Sequence, residues 1–136
     1  MRVDPYLYLQ GRCKEALEFY KSALGAEIQT VVRFSDLPDA PPGSGDNIMH
    51  AALRIGETLV LASDGQGKGS AAFEGFSLAL STTNDAEAEK LFAALSKDGA
   101  VRLPLMSTSF ASRMGIVADR FGVPWMIVAQ RPTTSR

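Results

Sequence analysis

The chain has 136 residues, 46% of them apolar, and a formal net charge of -1 from 14 basic and 15 acidic side chains. That length suits one domain burying roughly two thirds of its unfolded surface, and the apolar share excludes a disordered chain. Balanced charge offers no footprint for nucleic acid or an anionic membrane. The single cysteine, Cys13, excludes an internal disulfide and suits a reducing cytoplasm. The first residues lack the apolar core of a secretory signal, and no segment approaches the ~20 apolar residues of a membrane span.

Residues 6–9 alternate tyrosine with leucine, followed by Gln10, which predicts a strand with two unlike faces. Leu7 and Leu9 are expected under a helix, with Tyr6 and Tyr8 on the other side. Cys13, Ala16, Leu17, Tyr20 and Leu24 form one helical stripe, and Gly25 stands where a left-handed stop belongs. Residues 27–34 are rich in β-branched side chains and predict a second strand. Residues 35–47 hold too many prolines and glycines for anything but a loop. Residues 48–55 and 58–63 predict strands joined by a tight turn at Gly56-Glu57. In the first of them Met49, Ala51, Leu53 and Ile55 are expected in the core, which sends His50, Ala52 and Arg54 to the opposite face. Gly65, Gly67 and Gly69 mark a linker, set at about residues 65–74.

The same order then recurs. Residues 76–81 predict a strand, and Asn84 caps a helix with Glu87 as its capping-box partner. Ala88, Leu91, Phe92 and Leu95 make its stripe, and Gly99 is its expected stop. Strands follow at 101–105, 110–118 and 124–129, the last two flanking a turn at residues 119–122. Residues 131–136 read as a tail. Glu15, Ala16, Phe19 and Tyr20 match Glu87, Ala88, Leu91 and Phe92; Gly25-Ala26 matches Gly99-Ala100, and Gly56 matches Gly122. The predicted architecture is therefore α+β, with two tandem βαβββ modules at about 1–64 and 75–130 in a single domain spanning 1–136.

The segments PYLYLQG (5–11), EALEFYKSALGAE (15–27), IMHAALRIG (48–56), GFSLALS (75–81) and DRFGVPWM (119–126) resemble the vicinal oxygen chelate superfamily, the glyoxalase and bleomycin-resistance fold. The resemblance is closest to its PhnB-like subgroup, labelled demethylubiquinone methyltransferase-like. It implies curved sheets with helices on the convex side, a ligand cavity on the concave side, and a homodimer. It also implies four metal positions, near Asp4 or Pro5, Val60 or Leu61, Ser77, and Met126. Of these only Asp4 is a good candidate ligand and Ser77 a poor one; aliphatic and thioether groups do not ligate hard or borderline cations, so no metal and no cofactor is expected. The glycine-spaced run at Gly65, Gly67 and Gly69 lacks a helix starting directly after it, as a nucleotide-type cofactor turn requires.

His50, the only histidine, is the candidate general base or hydrogen-bond donor. Tyr6 and Tyr8 offer flat surfaces with hydroxyls to a cavity wall. Ser77, Phe110, Arg113, Met114 and Met126 are the further candidates for ligand binding, Arg113 as a fork for a carboxylate or phosphate. Trp125 is expected in the core by strand parity, Asp119 as the holder of its own turn, and Cys13 as an inert buried thiol. The reading that follows is a metal-free binder of a small organic molecule. The alternatives are an isomerase, lyase or oxygenase-type enzyme using His50 or Tyr8 in proton transfer, and a dimeric module that holds a partner chain.

Overall fold

A computed structural model describes residues 1–39, 45–65 and 71–131. Gly67 and Gly69 of the predicted linker lie outside these residues. The chain divides into two compact units, Met1–Ala71 and Ala72–Arg136.

In the first unit, β1 (Tyr6–Tyr8), α1 (Cys13–Leu24), β2 (Glu27–Arg33), β3 (Ile48–Ile55) and β4 (Thr58–Ser63) follow in order, with a short 3-10 turn at Phe34–Asp36. The sheet runs β1-β4-β3-β2, with β1 parallel to β4 and the other pairs antiparallel. The second unit repeats this with β5 (Leu78–Thr82), α2 (Asp85–Ser96), β6 (Ala100–Met106), β7 (Ala111–Ala118) and β8 (Pro124–Gln130), in sheet order β5-β8-β7-β6. Strand order and the parallel and antiparallel pairings are the same in both units, as a doubled βαβββ sequence implies.

Helix α1 buries the stripe Cys13, Ala16, Leu17 and Tyr20. Its end is closed by Gly25 at φ 67, a left-handed conformation that costs glycine nothing. Its start is held from outside the helix. The side chain of Arg12, the residue at the cap position, makes no capping bond. The carboxylate of Asp64, only 3% exposed, accepts from the Cys13 amide at 2.8 Å through one oxygen and from the Ile48 amide at 2.7 Å through the other. One buried anion thus ties the first turn of α1 to the start of β3, where a carboxylate is also favoured by the helix dipole.

Helix α2 is capped as its sequence suggests at one arm only. Asn84 Oδ1 accepts from the Glu87 amide at 2.9 Å. The Glu87 carboxylate does not return to Asn84; it takes the Thr82 hydroxyl, while the Asn84 amide donates to Thr82 Oγ1 at 3.2 Å. The helix stop also differs from expectation. Asp98, not Gly99, is left-handed, at φ 61. Gly99 is required for space: a Cβ there would sit 2.3 Å from the backbone oxygen of Ala118. The two helix-following glycines therefore serve different needs.

Strand parity holds except at bulges. Val32 pairs with His50 and Arg33 with Ile48, which leaves Met49 as an extra residue. Ile48 consequently takes the core place, at 1% exposure, and Met49 is half-buried instead of lying in the core with Ala51 and Leu53. A second bulge at Ser112 interrupts β7.

Among the described residues, no helix is long and apolar enough to cross a membrane.

Candidate functional site

On β1, alternation sends Leu7 inward, nearly fully buried, and leaves Tyr6 half-buried and Tyr8 53% exposed. The two tyrosine rings stack, with centroids 5.0 Å apart and planes 24° from parallel. Tyr6 lies beside Leu61 of β4, which in turn lies beside Ala52 of β3. One step along the same face of β3 stands His50, two residues from Ala52. The Tyr6 ring crosses β4 to reach it: the phenolic oxygen is 2.9 Å from His50 Nδ1, and the ring centroids are 5.6 Å apart. Forty-four positions separate the two residues in sequence. Sheet order alone makes them neighbours.

Burial, with smaller contributions from Tyr8 and Cys13, raises the Tyr6 phenol above its ordinary value. An ordinary phenol is already protonated at neutral pH, and this shift moves its ionisation further away. Cys13, the first residue of α1, is fully buried. Burial first and the Asp64 charge second push its thiol up to about 12, so it is no nucleophile at neutral pH.

The second unit distributes its candidates over two faces. Met114 lies opposite Met106 on one side and Val128 on the other, and Met126 lies opposite Ile116 and Ala79. All of these share the sheet face away from α2. Met106, 42% exposed on the edge strand, belongs to this methionine cluster and was not among the sequence candidates. Its strand was expected to stop at residue 105, one position short.

Arg113 departs from its expected role. It points to the α2 side with Gly115 and Val117, where its guanidinium meets Glu89 at 3.2 Å and Asp85 at 3.6 Å. Ser112 also bonds the Asp85 carboxylate. The fork proposed for a ligand anion is occupied by two carboxylates of the chain's own helix. Phe110 lies outside β7 and is 66% exposed. Thr108 Oγ1 accepts from the Phe110 and Ala111 amides at 3.3 and 3.0 Å, a hydroxyl turn that delays the strand by one residue. Ser77 is exposed just before β5.

The turn within DRFGVPWM is built around Asp119. One carboxylate oxygen accepts from the Phe121 and Val123 amides at 2.9 and 3.0 Å, and the other takes the Trp125 indole N–H at 2.9 Å. Trp125 is 3% exposed and belongs to the core. The motif is thus a buried carboxylate clamp for a hairpin.

The family model described as 3-demethylubiquinone-9 3-methyltransferase matches residues 1–128. The chain belongs to this PhnB-like family. Protein YjdN of Escherichia coli strain K12 is 34% identical, covering 98% of this chain and 99% of its own. The crystal structure of PA1353 from Pseudomonas aeruginosa is 37% identical with a TM-score of 0.87, covering 96% of this chain and 98% of its own. A Bacillus cereus PhnB protein, titled a putative methyltransferase of the same description, shares the fold at 23% identity and TM-score 0.78, covering 94% and 98%. The fold shared with these structures is the glyoxalase/bleomycin-resistance architecture.

The resemblance implies four positions for a divalent cation. Val60, Leu61 and Met126 offer no donor suited to one, and Ser77 offers only a hydroxyl. Asp4 is paired with Arg2 at 3.0 Å. Among the described residues, no three His, Cys, Asp or Glu side chains are grouped as a metal centre needs.

Proposed function

We propose that this PhnB-like protein binds a small, partly aromatic organic molecule on the face of its first sheet away from α1, without a metal at the family's usual positions. The observation that carries this reading is the cluster of Tyr6, Tyr8 and His50: a stacked, half-open aromatic surface with a polar edge at the imidazole. Binding sites pair apolar walls with a few placed polar groups in this way. Met106, Met114 and Met126 give the second sheet an adaptable apolar face of the kind used by tolerant binders. We further propose that the chain works as a homodimer in the cytoplasm.

The same dyad favours a second reading, proton transfer at His50 in an isomerase or lyase. The structure pairs His50 with Tyr6, not with Tyr8. Thermal-shift and calorimetric screening against aromatic metabolites and antibiotics tests binding. Saturable binding that is lost in Tyr8→Ala is the expected result; ligands whose affinity ignores both Tyr8→Ala and His50→Ala would refute the site. Turnover abolished in His50→Ala with stability retained would favour the enzyme. Sedimentation showing only the 14.6 kDa species at micromolar concentration would refute the dimer.

A further inference from the structure

The hydrogen bond between Tyr6 and His50 can run in two directions, and chemistry chooses between them. A phenol is a good donor and a poor acceptor, because its oxygen lone pair is delocalised into the ring. A neutral imidazole nitrogen is the strongest uncharged acceptor among protein side chains. That contrast favours donation from the Tyr6 O–H to Nδ1, the two atoms standing 2.9 Å apart. When one ring nitrogen accepts, the other must carry the hydrogen. A phenol is protonated at neutral pH in any case, so its O–H is available to donate.

Among the described residues, His50 Nε2 has no hydrogen-bond partner. The ring is half-buried, on the face shared with Tyr6 and Tyr8. We infer that Tyr6 locks His50 as an Nε2–H donor, and that the site selects flat molecules bearing a hydrogen-bond-accepting oxygen, such as aryl ketones. Tyr8 supplies the flat surface for the ring, and Nε2–H fixes the oxygen beside it. Tyr6 is a positioning residue, acting on the ligand through His50. A donor head group in the same place meets another donor and leaves both unpaired, which costs affinity. This inference rests on the binding reading above and specifies its ligand class.

Two measurements test it on the intact protein. Long-range proton–nitrogen correlation spectra of the single histidine, recorded with the ring neutral, report the tautomer directly. The expected spectrum shows hydrogen on Nε2 in the wild type and a mixture in Tyr6→Phe. Hydrogen on Nδ1 in the wild type would overturn the lock. Calorimetric titration then compares two neutral, isosteric probes, 2-acetylnaphthalene and 2-isopropenylnaphthalene. The ketone is expected to bind about fivefold more tightly, the net weight of one hydrogen bond. That preference should narrow in Tyr6→Phe and vanish in His50→Phe, which keeps a flat ring but no donor. Thermal midpoints confirm that both variants fold. Equal binding of the probes by wild type would overturn the selection while leaving the binding reading intact. Binding of neither probe, with the expected spectrum, would overturn that reading and its ligand class together while leaving the lock standing.

Discussion

Asp64 offers the sharpest test of how the first unit is held together. Its two oxygens accept from the amides of Cys13 and Ile48, residues 0% and 1% exposed. Asp64→Ala removes both acceptors and leaves two buried N–H groups without them. Each such orphan costs about 1–3 kcal/mol, so a loss of about 2–6 kcal/mol is expected. Against a typical total of about 5–15 kcal/mol, that is enough to shift the urea midpoint well outside error. Asp64→Asn keeps one carbonyl oxygen and can serve only one amide; it should lose about half as much. Equilibrium urea unfolding of the three proteins, at constant slope, gives the comparison. A loss below about 1 kcal/mol for Asp64→Ala, or equal losses for the two variants, would refute the two-amide clamp.

Three further outcomes follow from the geometry. Gly99→Ala should destabilise by more than Gly25→Ala, measured by thermal midpoint, because a Cβ at 99 meets the Ala118 oxygen at 2.3 Å while Gly25 has open space around it. Gly25→Ala should lose only the left-handed backbone cost of about 1–2 kcal/mol; the reverse ranking would refute the steric role. The unfolded Cys13 thiol titrates near 9.0 and the folded one is pushed up to about 12, so the unfolded state loses its proton first. Stability should therefore be unaffected below pH 9.0 and fall above it, by roughly 1.4 kcal/mol per pH unit, with the slope reduced by that amount in Cys13→Ala. Arg113→Ala should cost under about 1 kcal/mol, since its ion pairs with Asp85 and Glu89 are substantially exposed. It should also leave ligand affinity unchanged in calorimetric titration; loss of binding would restore Arg113 to the site.

Helices and hairpins were legible because their signals are local. A stripe from Cys13 to Tyr20, a glycine after it, and Gly56 or Gly122 between alternating runs report on neighbours a few residues away, and both βαβββ units follow from them. The family resemblance was legible for the same reason, since its segments are the turns and strands themselves. Bulges were not legible. One extra residue at Met49 exchanges the core places of Met49 and Ile48, and it depends on how β2 pairs with β3. The Ser112 bulge and the α2 carboxylates are likewise what claim Arg113.

The sequence by itself determined the duplicated α+β chain and the inward turn of Leu7 against the outward turn of Tyr6 and Tyr8. Only the tertiary structure decided which of those outward groups meet. Tyr6 finds His50 because β1 docks parallel to β4 and β4 separates it from β3. Asp64, drawn from a glycine-rich segment with no signal of its own, becomes the clamp of α1 because β4 delivers it beneath the helix start. Side-chain period is a property of the chain, whereas register and sheet order are set by which strands bury each other's apolar faces. Neighbours across a sheet are therefore written in the packing, not in the local sequence.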